Sequence, residues 1–174
     1  MIPLHINVKG KRVLVIGGGE IAYRRLKLFL EEGASVTIVS PNVIDEISQL
    51  ASDLKLEWIK KKVEAADLVD AFIIIAATND DALNNWIADH ATSNQLVNVV
   101  SEVEKGNVLV PKTLNKGKLT LSVTTNGASP KVAKEIAEKL DLQFDDKFIQ
   151  SLEEMYNMRK EKKRKEKEKR ECLD

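Results

Sequence analysis

The sequence predicts an α/β protein in which a parallel sheet with helices on both faces is followed by a smaller α+β part and a C-terminal helix. Two observations predict this class. Short apolar runs alternate with segments of helical spacing over residues 1–108, a pattern typical of repeated βαβ units. Beyond that point, apolar and polar side chains alternate singly over 119–124, as in a half-solvated or interface-facing strand. We therefore predict three parts, at residues 1–108, 109–144 and 145–174.

The first predicted βαβ unit opens the chain. Residues 12–16 form a short apolar run rich in β-branched side chains, which predicts a strand buried on both faces. Apolar residues at helical spacing predict a helix over 20–32, and Gly33 follows where a glycine commonly ends a helix. A second strand is predicted at 35–40, because β-branched residues fill it and Pro41 follows.

Strands and helices continue to alternate up to residue 100, and the order of predicted elements then changes. In order, we predict a helix at 43–54, strands at 56–63 and 72–77, a helix at 80–92 and a strand at 95–100. Further strands are predicted at 107–110 and 119–125, a helix at 130–140 and helical structure from 145 onward. Because Pro130 suits the first turn of a helix, Ser129 is the expected N-terminal cap of the helix at 130–140.

Charge and apolar content exclude several classes of protein. The chain has 174 residues with 27 basic and 27 acidic side chains, a balance that argues against a dedicated nucleic-acid binder. No apolar run approaches the ~18 residues of a transmembrane helix, and the first residues lack the pattern of a signal peptide. The zero net charge combines an acidic body with a basic tail at 159–174. A solvated helix is our main interpretation of this tail, and contact with an anionic ligand or a partner is the alternative.

Cysteine and histidine are both scarce. Cys172 is the only cysteine, so no intramolecular disulfide can form, and the chain suits a reducing, cytoplasmic compartment. The two histidines, His5 and His90, lie far apart, and no Cys/His spacing typical of a metal site is present. We therefore expect no bound metal.

The most informative motif is GGGEIA at 17–22, which follows a predicted buried strand and opens a predicted helix. It matches the G-x-G-x-x-G/A pattern of a Rossmann-like dinucleotide site. Gly17 permits the tight turn, Gly19 lets the backbone approach a pyrophosphate, and Ala22 lets the helix pack closely on the strand. The helix N-terminus then offers free N–H groups to the phosphates, although a turn that serves packing alone is the alternative. The expected phosphate-binding residues are Gly17, Gly18, Gly19, Glu20 and Ile21.

The end of the second strand indicates which dinucleotide is bound. An acid there commonly bonds the ribose of NAD, and an Arg accepts the 2′-phosphate of NADP. This chain has Ser40, Pro41 and Asn42, with no Arg or Lys nearby in the sequence, which favours NAD. Ser40 or Asn42 can still bond the ribose. Thr78 follows the fourth strand and can bond the ribose or the nicotinamide, the alternative being that Thr78 or Asn79 only caps a helix.

Five segments together resemble one known family. These are Pro3 with an N-terminal strand ahead of Gly10, GGGEIAYRRLKLFLEEGA at 17–34, IIIAATND at 73–80, NVV at 98–100 and SVTTNGASPKVAKEIAEKL at 122–140. The chain resembles the bacterial sirohaem synthase N-terminal family, the precorrin-2 dehydrogenases, over roughly residues 1–145. The NGASP stretch is the most discriminating segment, because ordinary dinucleotide-binding folds lack it.

The resemblance implies a function for each predicted part. Such proteins oxidise precorrin-2 to sirohydrochlorin with NAD as the hydride acceptor, and some members also insert ferrous iron. Residues 1–108 then form the NAD-binding domain, and 109–144 form a part that pairs two subunits and contributes to the tetrapyrrole cleft. The implied protein is a cytoplasmic homodimer that binds a tetrapyrrole substrate. A bifunctional enzyme that also inserts iron, and a non-catalytic nucleotide- or tetrapyrrole-binding module, are the alternatives.

One departure from the family concerns the catalytic residues. The family often has Asp directly after NVV, and that Asp is held to take part in both reactions, but this chain has Ser101 followed by Glu102. Glu102 can serve instead, can be an ordinary loop acid, or the reaction can release its proton to water. Loss of the Asp and scarcity of His and Cys disfavour iron insertion. Ser129 matches the family serine near the tetrapyrrole, a role compatible with helix capping. The expected catalytic residues are Glu102, Ser101 and Ser129.

Overall fold

The computed structural model describes residues 1–171, with the side chains of residues 1–168. The chain divides into two compact units, Met1–Val110 and a second that begins at Pro111. None of the helices in the described residues is long and apolar enough to cross a membrane. Which function each predicted part performs remains a prediction.

The first unit is built on a five-stranded parallel sheet. Its strands are β1 (Arg12–Ile16), β2 (Ser35–Val39), β3 (Glu57–Ile59), β4 (Ile73–Ala76) and β5 (Leu96–Val99). The strand order is β3-β2-β1-β4-β5, so the chain reverses direction across the sheet between β1 and β4. In an open α/β sheet, such a switch point leaves a crevice at the carboxyl ends of the strands, where ligands bind.

Helices cover both faces of this sheet. They are α1 (Glu20–Glu31), α2 (Asp45–Ser52), α3 (Ala65–Leu68) and α4 (Asp81–His90). Val13 and Val15 of β1 pack in a core with α1, whereas Leu14 and Ile16 pack in a second core on the opposite face. All four side chains are at most 2% exposed, which explains why β1 is a continuous apolar run. The predicted α/β class is confirmed.

The second unit has a small antiparallel sheet followed by two helices. The strands are β6 (Lys112–Lys116) and β7 (Leu119–Val123), and the helices are α5 (Pro130–Asp141) and α6 (Asp146–Glu171). Ser129 caps α5, because its hydroxyl oxygen accepts the N–H of Val132 at 3.3 Å. Lys116 joins the sheet to the end of α5 through an ion pair of 2.8 Å with Asp141.

Several predicted elements differ from the structure. The predicted N-terminal strand ahead of Gly10 is wrong, because residues 1–8 form no strand. The strand predicted at 56–63 is limited to β3, since Lys61 turns back and its N–H donates to the carbonyl of Ile59 at 3.0 Å. The helix α3 and the strand β6 were not predicted.

The strand predicted at 107–110 is also wrong. Asn107 lies beside β5, but its backbone N–H and that of Val108 both donate to the one carbonyl of Val97, at 3.0 and 3.2 Å, and the Asn107 side chain makes the other contacts with β5. Its Oδ1 accepts the N–H of Val97 at 2.7 Å, and its Nδ2 donates to the carbonyl of Gln95 at 2.8 Å. The segment therefore follows the sheet edge without becoming a strand of it.

Candidate functional site

Gly17 makes the turn between β1 and α1. Its φ of +118° lies in a region that favours glycine, and an added Cβ would overlap the carbonyl of Ala77 after β4. Its N–H donates to the carbonyl of Val39 at the end of β2, at 3.3 Å. Gly17 thus holds the ends of three neighbouring strands close together, as the tight-turn role requires.

Gly18 has a packing role that the sequence did not reveal. An added Cβ would overlap the carbonyl of Asn42, in the loop between β2 and α2. The Gly18 carbonyl also accepts the N–H of Ile44 at 2.9 Å. Gly18 therefore fixes the glycine turn against the loop that follows β2.

Gly19 differs from both of its neighbours. It precedes α1 with an ordinary φ of −95°, and an added Cβ would meet nothing within 4 Å. The first helical hydrogen bond runs from the N–H of Tyr23 to the carbonyl of Gly19, at 3.0 Å. The N–H groups just before Tyr23 have no partner within the helix, and they carry the positive end of its dipole. Gly19 thus leaves open the space that an anion at this helix end would occupy.

A cleft of about 600 Å³ lies at the carboxyl ends of the strands. Its volume is within the usual range for small-molecule and cofactor sites. Glu20 and Ile21, which were predicted to bind the cofactor, begin α1 but do not line the cleft. The other predicted cofactor residues do line it, and they are Gly17, Gly18, Gly19, Ser40, Pro41, Asn42 and Thr78.

The loop after β2 forms one wall of the cleft through internal hydrogen bonds. Ser40 is 8% exposed, and its hydroxyl donates to the carbonyl of Asn42 at 2.7 Å. The indole N–H of Trp58 donates to the carbonyl of Ser40 at 3.0 Å. Because the Ser40 proton is used within the loop, its oxygen is left as an acceptor for a ribose hydroxyl.

Lys62 also lines the cleft, although no Lys or Arg lies near Ser40 in the sequence. It belongs to the lysine run at 60–62 that follows β3. Lys60 lies over the ring of Trp58, and Lys61 pairs with Asp67, whose hydrogen bond raises the pKa of Lys61. Lys62 makes no ion pair with the residues that the structure describes, so its charge is available to a ligand. The lysine run at 60–62 indicated a cation, but its distance in sequence from Ser40 gave no reason to place that cation in the cleft.

On the other side of the cleft, the buried amide of Asn84 joins two loops. Its Oδ1 accepts the N–H of Thr78 at 3.2 Å and the Thr78 hydroxyl at 2.8 Å. Its Nδ2 donates to the carbonyl of Thr78 at 3.1 Å and lies 3.4 Å from the hydroxyl oxygen of Ser101. Asp80 caps α4 by accepting the N–H of Leu83 at 3.0 Å, so the alternative that Thr78 or Asn79 serves as that cap is wrong.

The three predicted catalytic residues occupy different surroundings. Ser101 follows β5 and contacts Asn84, as described above. Glu102 is exposed, precedes a 3₁₀ turn at Val103–Lys105, and makes no hydrogen bond or ion pair with the described residues. Ser129 belongs to the second unit, where it caps α5. Their catalytic roles remain predictions.

Comparisons with known proteins extend over most of the chain. A family model described as "Putative NAD(P)-binding" matches residues 4–112, which contain the whole cleft. A precorrin-2 dehydrogenase of Bacillus subtilis (strain 168) is 48% identical over 162 residues, which cover 93% of this chain and 100% of that relative. The chain belongs to the precorrin-2 dehydrogenase family. A precorrin-2 dehydrogenase of Priestia megaterium is 40% identical, over 91% of this chain and 79% of that relative.

A solved structure supports the same assignment. The structure titled "SirC, precorrin-2 dehydrogenase" superimposes with a TM-score of 0.78 at 39% identity, covering 90% of this chain and 78% of that chain. Membership in the precorrin-2 dehydrogenase family confirms the resemblance seen in the sequence. In this family member, the open space beside Gly19 and the N-terminus of α1 fit the pyrophosphate of an NAD(P) dinucleotide.

Proposed function

We propose that this chain oxidises precorrin-2 to sirohydrochlorin and that NAD, bound in the cleft, is the oxidant. The observation that carries the proposal is the relative named precorrin-2 dehydrogenase, which this chain matches over its full length at 48% identity. The cleft supports the same activity, because its glycine turn, helix N-terminus and strand ends suit a dinucleotide. NAD supplies a hydride acceptor, and the residues of the chain must bind and orient both reactants.

In the proposed site, each wall of the cleft holds one part of the cofactor. The N–H groups at the start of α1 hold the pyrophosphate in the space beside Gly19. Ser40 and Asn42, after β2, contact the ribose on the adenine side. Thr78, after β4, contacts the ribose or carboxamide on the nicotinamide side. The cofactor thus extends along the carboxyl edge of the sheet.

The reaction removes one hydride and one proton from the tetrapyrrole, so a proton acceptor completes the balance. We propose Glu102, one position beyond the family Asp, for this role. Its exposed carboxylate makes no hydrogen bond or ion pair with the described residues, so it is free to take up a proton. Ser101 and Ser129 are proposed to contact the substrate. Replacing Glu102 by Gln then slows turnover, whereas transfer of the proton to water leaves turnover unchanged.

The experiment that tests this function is an anaerobic assay of the purified chain with precorrin-2 and NAD, run with and without ferrous iron. We expect NADH and the sirohydrochlorin spectrum to appear together, at the same rate in both conditions. Absence of NADH would overturn the proposal. Enzyme-dependent consumption of sirohydrochlorin on addition of iron would instead establish the bifunctional alternative.

We also propose that the protein works in the cytoplasm as a homodimer paired through its second unit. On α5, Val132 is 43% and Ile136 is 40% exposed, and these apolar side chains would be covered by pairing. Sedimentation equilibrium should give twice the chain mass of 19.5 kDa. Replacing Val132 and Ile136 by Glu should shift the protein to the monomer, and an unchanged dimer would place the contact elsewhere.

A further inference from the structure

We propose that Asn84 is a positioning residue that sets the hydrogen-bond polarity of two hydroxyls, making Thr78, which lines the cleft, an acceptor and Ser101, which does not line it, a donor toward the bound molecules. This inference rests on the proposed function for its catalytic consequences. Asn84 is 1% exposed and lies in α4, so it acts through its two partners rather than by touching a ligand.

The backbone of Thr78 fixes which way the Asn84 amide points. The Thr78 N–H can only donate, and it lies 3.2 Å from Oδ1 of Asn84. The Thr78 carbonyl can only accept, and it lies 3.1 Å from Nδ2. Exchanging the oxygen and nitrogen of the amide would place like groups together at both contacts, so the orientation is determined.

This orientation commits the hydroxyl of Thr78. Two acceptors face the single Thr78 hydroxyl proton, Oδ1 of Asn84 at 2.8 Å and the carbonyl of Asp80 at 3.1 Å, and the shorter contact directs the proton to Asn84. The Thr78 oxygen also accepts the N–H of Asp80 at 3.2 Å, which uses one of its lone pairs. One lone pair remains. Thr78 therefore presents an acceptor to the cleft, suited to a ribose hydroxyl or a carboxamide N–H.

The opposite polarity follows at Ser101. The second proton of Nδ2 is directed at the Ser101 oxygen, 3.4 Å away, so this oxygen accepts from Asn84. The hydroxyl proton of Ser101 is then free to donate. An acceptor oxygen on the bound tetrapyrrole, such as a carboxylate oxygen, is the chemical partner that this geometry favours.

The sharpest test replaces Asn84 by Asp, which keeps the shape but replaces the donor by an acceptor. The introduced carboxylate would face the Thr78 carbonyl and the Ser101 oxygen, and burial raises its pKa. The strands β4 and β5, which pack on α4, carry no ionisable side chain. The helices α3 and α4 carry Asp67, Asp81, Asp89 and His90. The adjoining segments carry Lys62, Asp80, Glu102, Glu104 and Lys105, so charges of both signs are present.

The matched control is Asn85→Asp, which makes the same substitution at the next position of α4. Asn85 is only half-buried, and its side chain makes no hydrogen bond with the described residues. At high pH we expect Asn84→Asp to lower kcat about tenfold relative to this control, as one lost buried hydrogen bond would. As the pH falls, the protonated carboxyl regains one donor, so the two variants should converge. If the ratio of the two kcat values does not change with pH, the inference is overturned.

NAD affinity, measured by calorimetry, gives a readout that does not depend on turnover. At high pH the introduced carboxylate repels the Thr78 carbonyl and displaces the Thr78 loop, so Asn84→Asp should bind NAD more weakly than Asn85→Asp, and the difference should shrink at low pH. If the wild type binds NAD but makes no NADH, the proposed function fails while this comparison still tests Asn84. If the wild type is active and the two variants bind NAD alike at every pH, only the polarity inference fails.

Two further variants keep the inference testable if Asn84→Asp does not fold. Thr78→Val removes an acceptor, so we expect NAD affinity to fall several-fold with little change in kcat. Ser101→Ala removes a donor, so we expect kcat to fall several-fold with little change in NAD affinity. Where Asn84→Asp does fold, its effect on kcat should be smaller in the Ser101→Ala background. The inference would be contradicted if Thr78→Val lowered mainly kcat and Ser101→Ala mainly NAD affinity. It would also be contradicted if the effects of Asn84→Asp and Ser101→Ala on kcat were fully additive.

Discussion

Gly19→Asp should abolish tight NAD binding while leaving the fold intact. The φ of −95° is available to any residue, and an added Cβ meets nothing within 4 Å, so this substitution causes neither backbone strain nor steric overlap. Asp is also a favoured residue at a helix N-terminus, so we expect an equal or slightly higher Tm. The carboxylate would occupy the space assigned to the pyrophosphate and compete for the same N–H groups.

The magnitude follows from Coulomb repulsion. Two like unit charges about 5 Å apart, in surroundings with an effective dielectric constant of about 20, repel by about 3 kcal/mol. That energy corresponds to a loss of about 100-fold in NAD affinity. Gly19→Asn is the neutral control of nearly the same shape, and the difference between the two variants isolates the charge.

The assay is titration calorimetry with NAD at two ionic strengths. Added salt should narrow the gap between Gly19→Asp and Gly19→Asn, because the repulsion is screened. If Gly19→Asp folds and binds NAD as tightly as the wild type, the pyrophosphate does not lie beside Gly19 and the assignment of the cleft is refuted.

Three other substitutions test separate parts of the structure. Gly18→Ala should lower the free energy of unfolding by about 3 kcal/mol, because its Cβ would overlap a backbone carbonyl. Gly19→Ala should lower it by at most about 1 kcal/mol, because Ala is only a poorer N-terminal cap than Gly, and urea unfolding measures both. Ser129→Ala should cost about 1 kcal/mol in the same assay, because α5 loses its cap, and an unchanged midpoint would contradict that role. Lys62→Ala should weaken NADP binding several-fold more than NAD binding, since only NADP offers a 2′-phosphate. Lys60→Ala is the matched control. If Lys62→Ala weakens the binding of NAD and NADP equally, Lys62 does not contact the 2′-phosphate.

The first half of the fold could be predicted from the sequence because it depends on local sequence patterns. The strand predicted at 12–16 coincides with β1, and the helix predicted at 20–32 ends one residue beyond α1. A buried parallel strand needs a continuous apolar run, and the glycine turn after it permits few other structures. The same locality placed most of the predicted cofactor residues along one cleft.

The remaining features depend on contacts between distant residues. The side-chain amide of Asn107 bonds the backbone of residues 95 and 97, and no periodic pattern in the sequence reveals that. Lys62 reaches the cleft only because the chain turns directly after β3, which is shorter than its apolar pattern suggests. Asn84 meets Ser101 across 17 positions, and its importance lies in the direction of its amide. Such directions follow from the packed structure rather than from residue type.

The stoichiometry of the proposed reaction tests the assignment as an NAD-dependent dehydrogenase most directly. Purified protein, precorrin-2 and NAD are mixed anaerobically, and NADH and sirohydrochlorin are quantified in the same sample. Since one hydride leaves each tetrapyrrole, we predict one NADH for each sirohydrochlorin and no protein-dependent product when NAD is omitted. Sirohydrochlorin formed without NADH, or neither product in the presence of folded protein that binds NAD, would contradict the account.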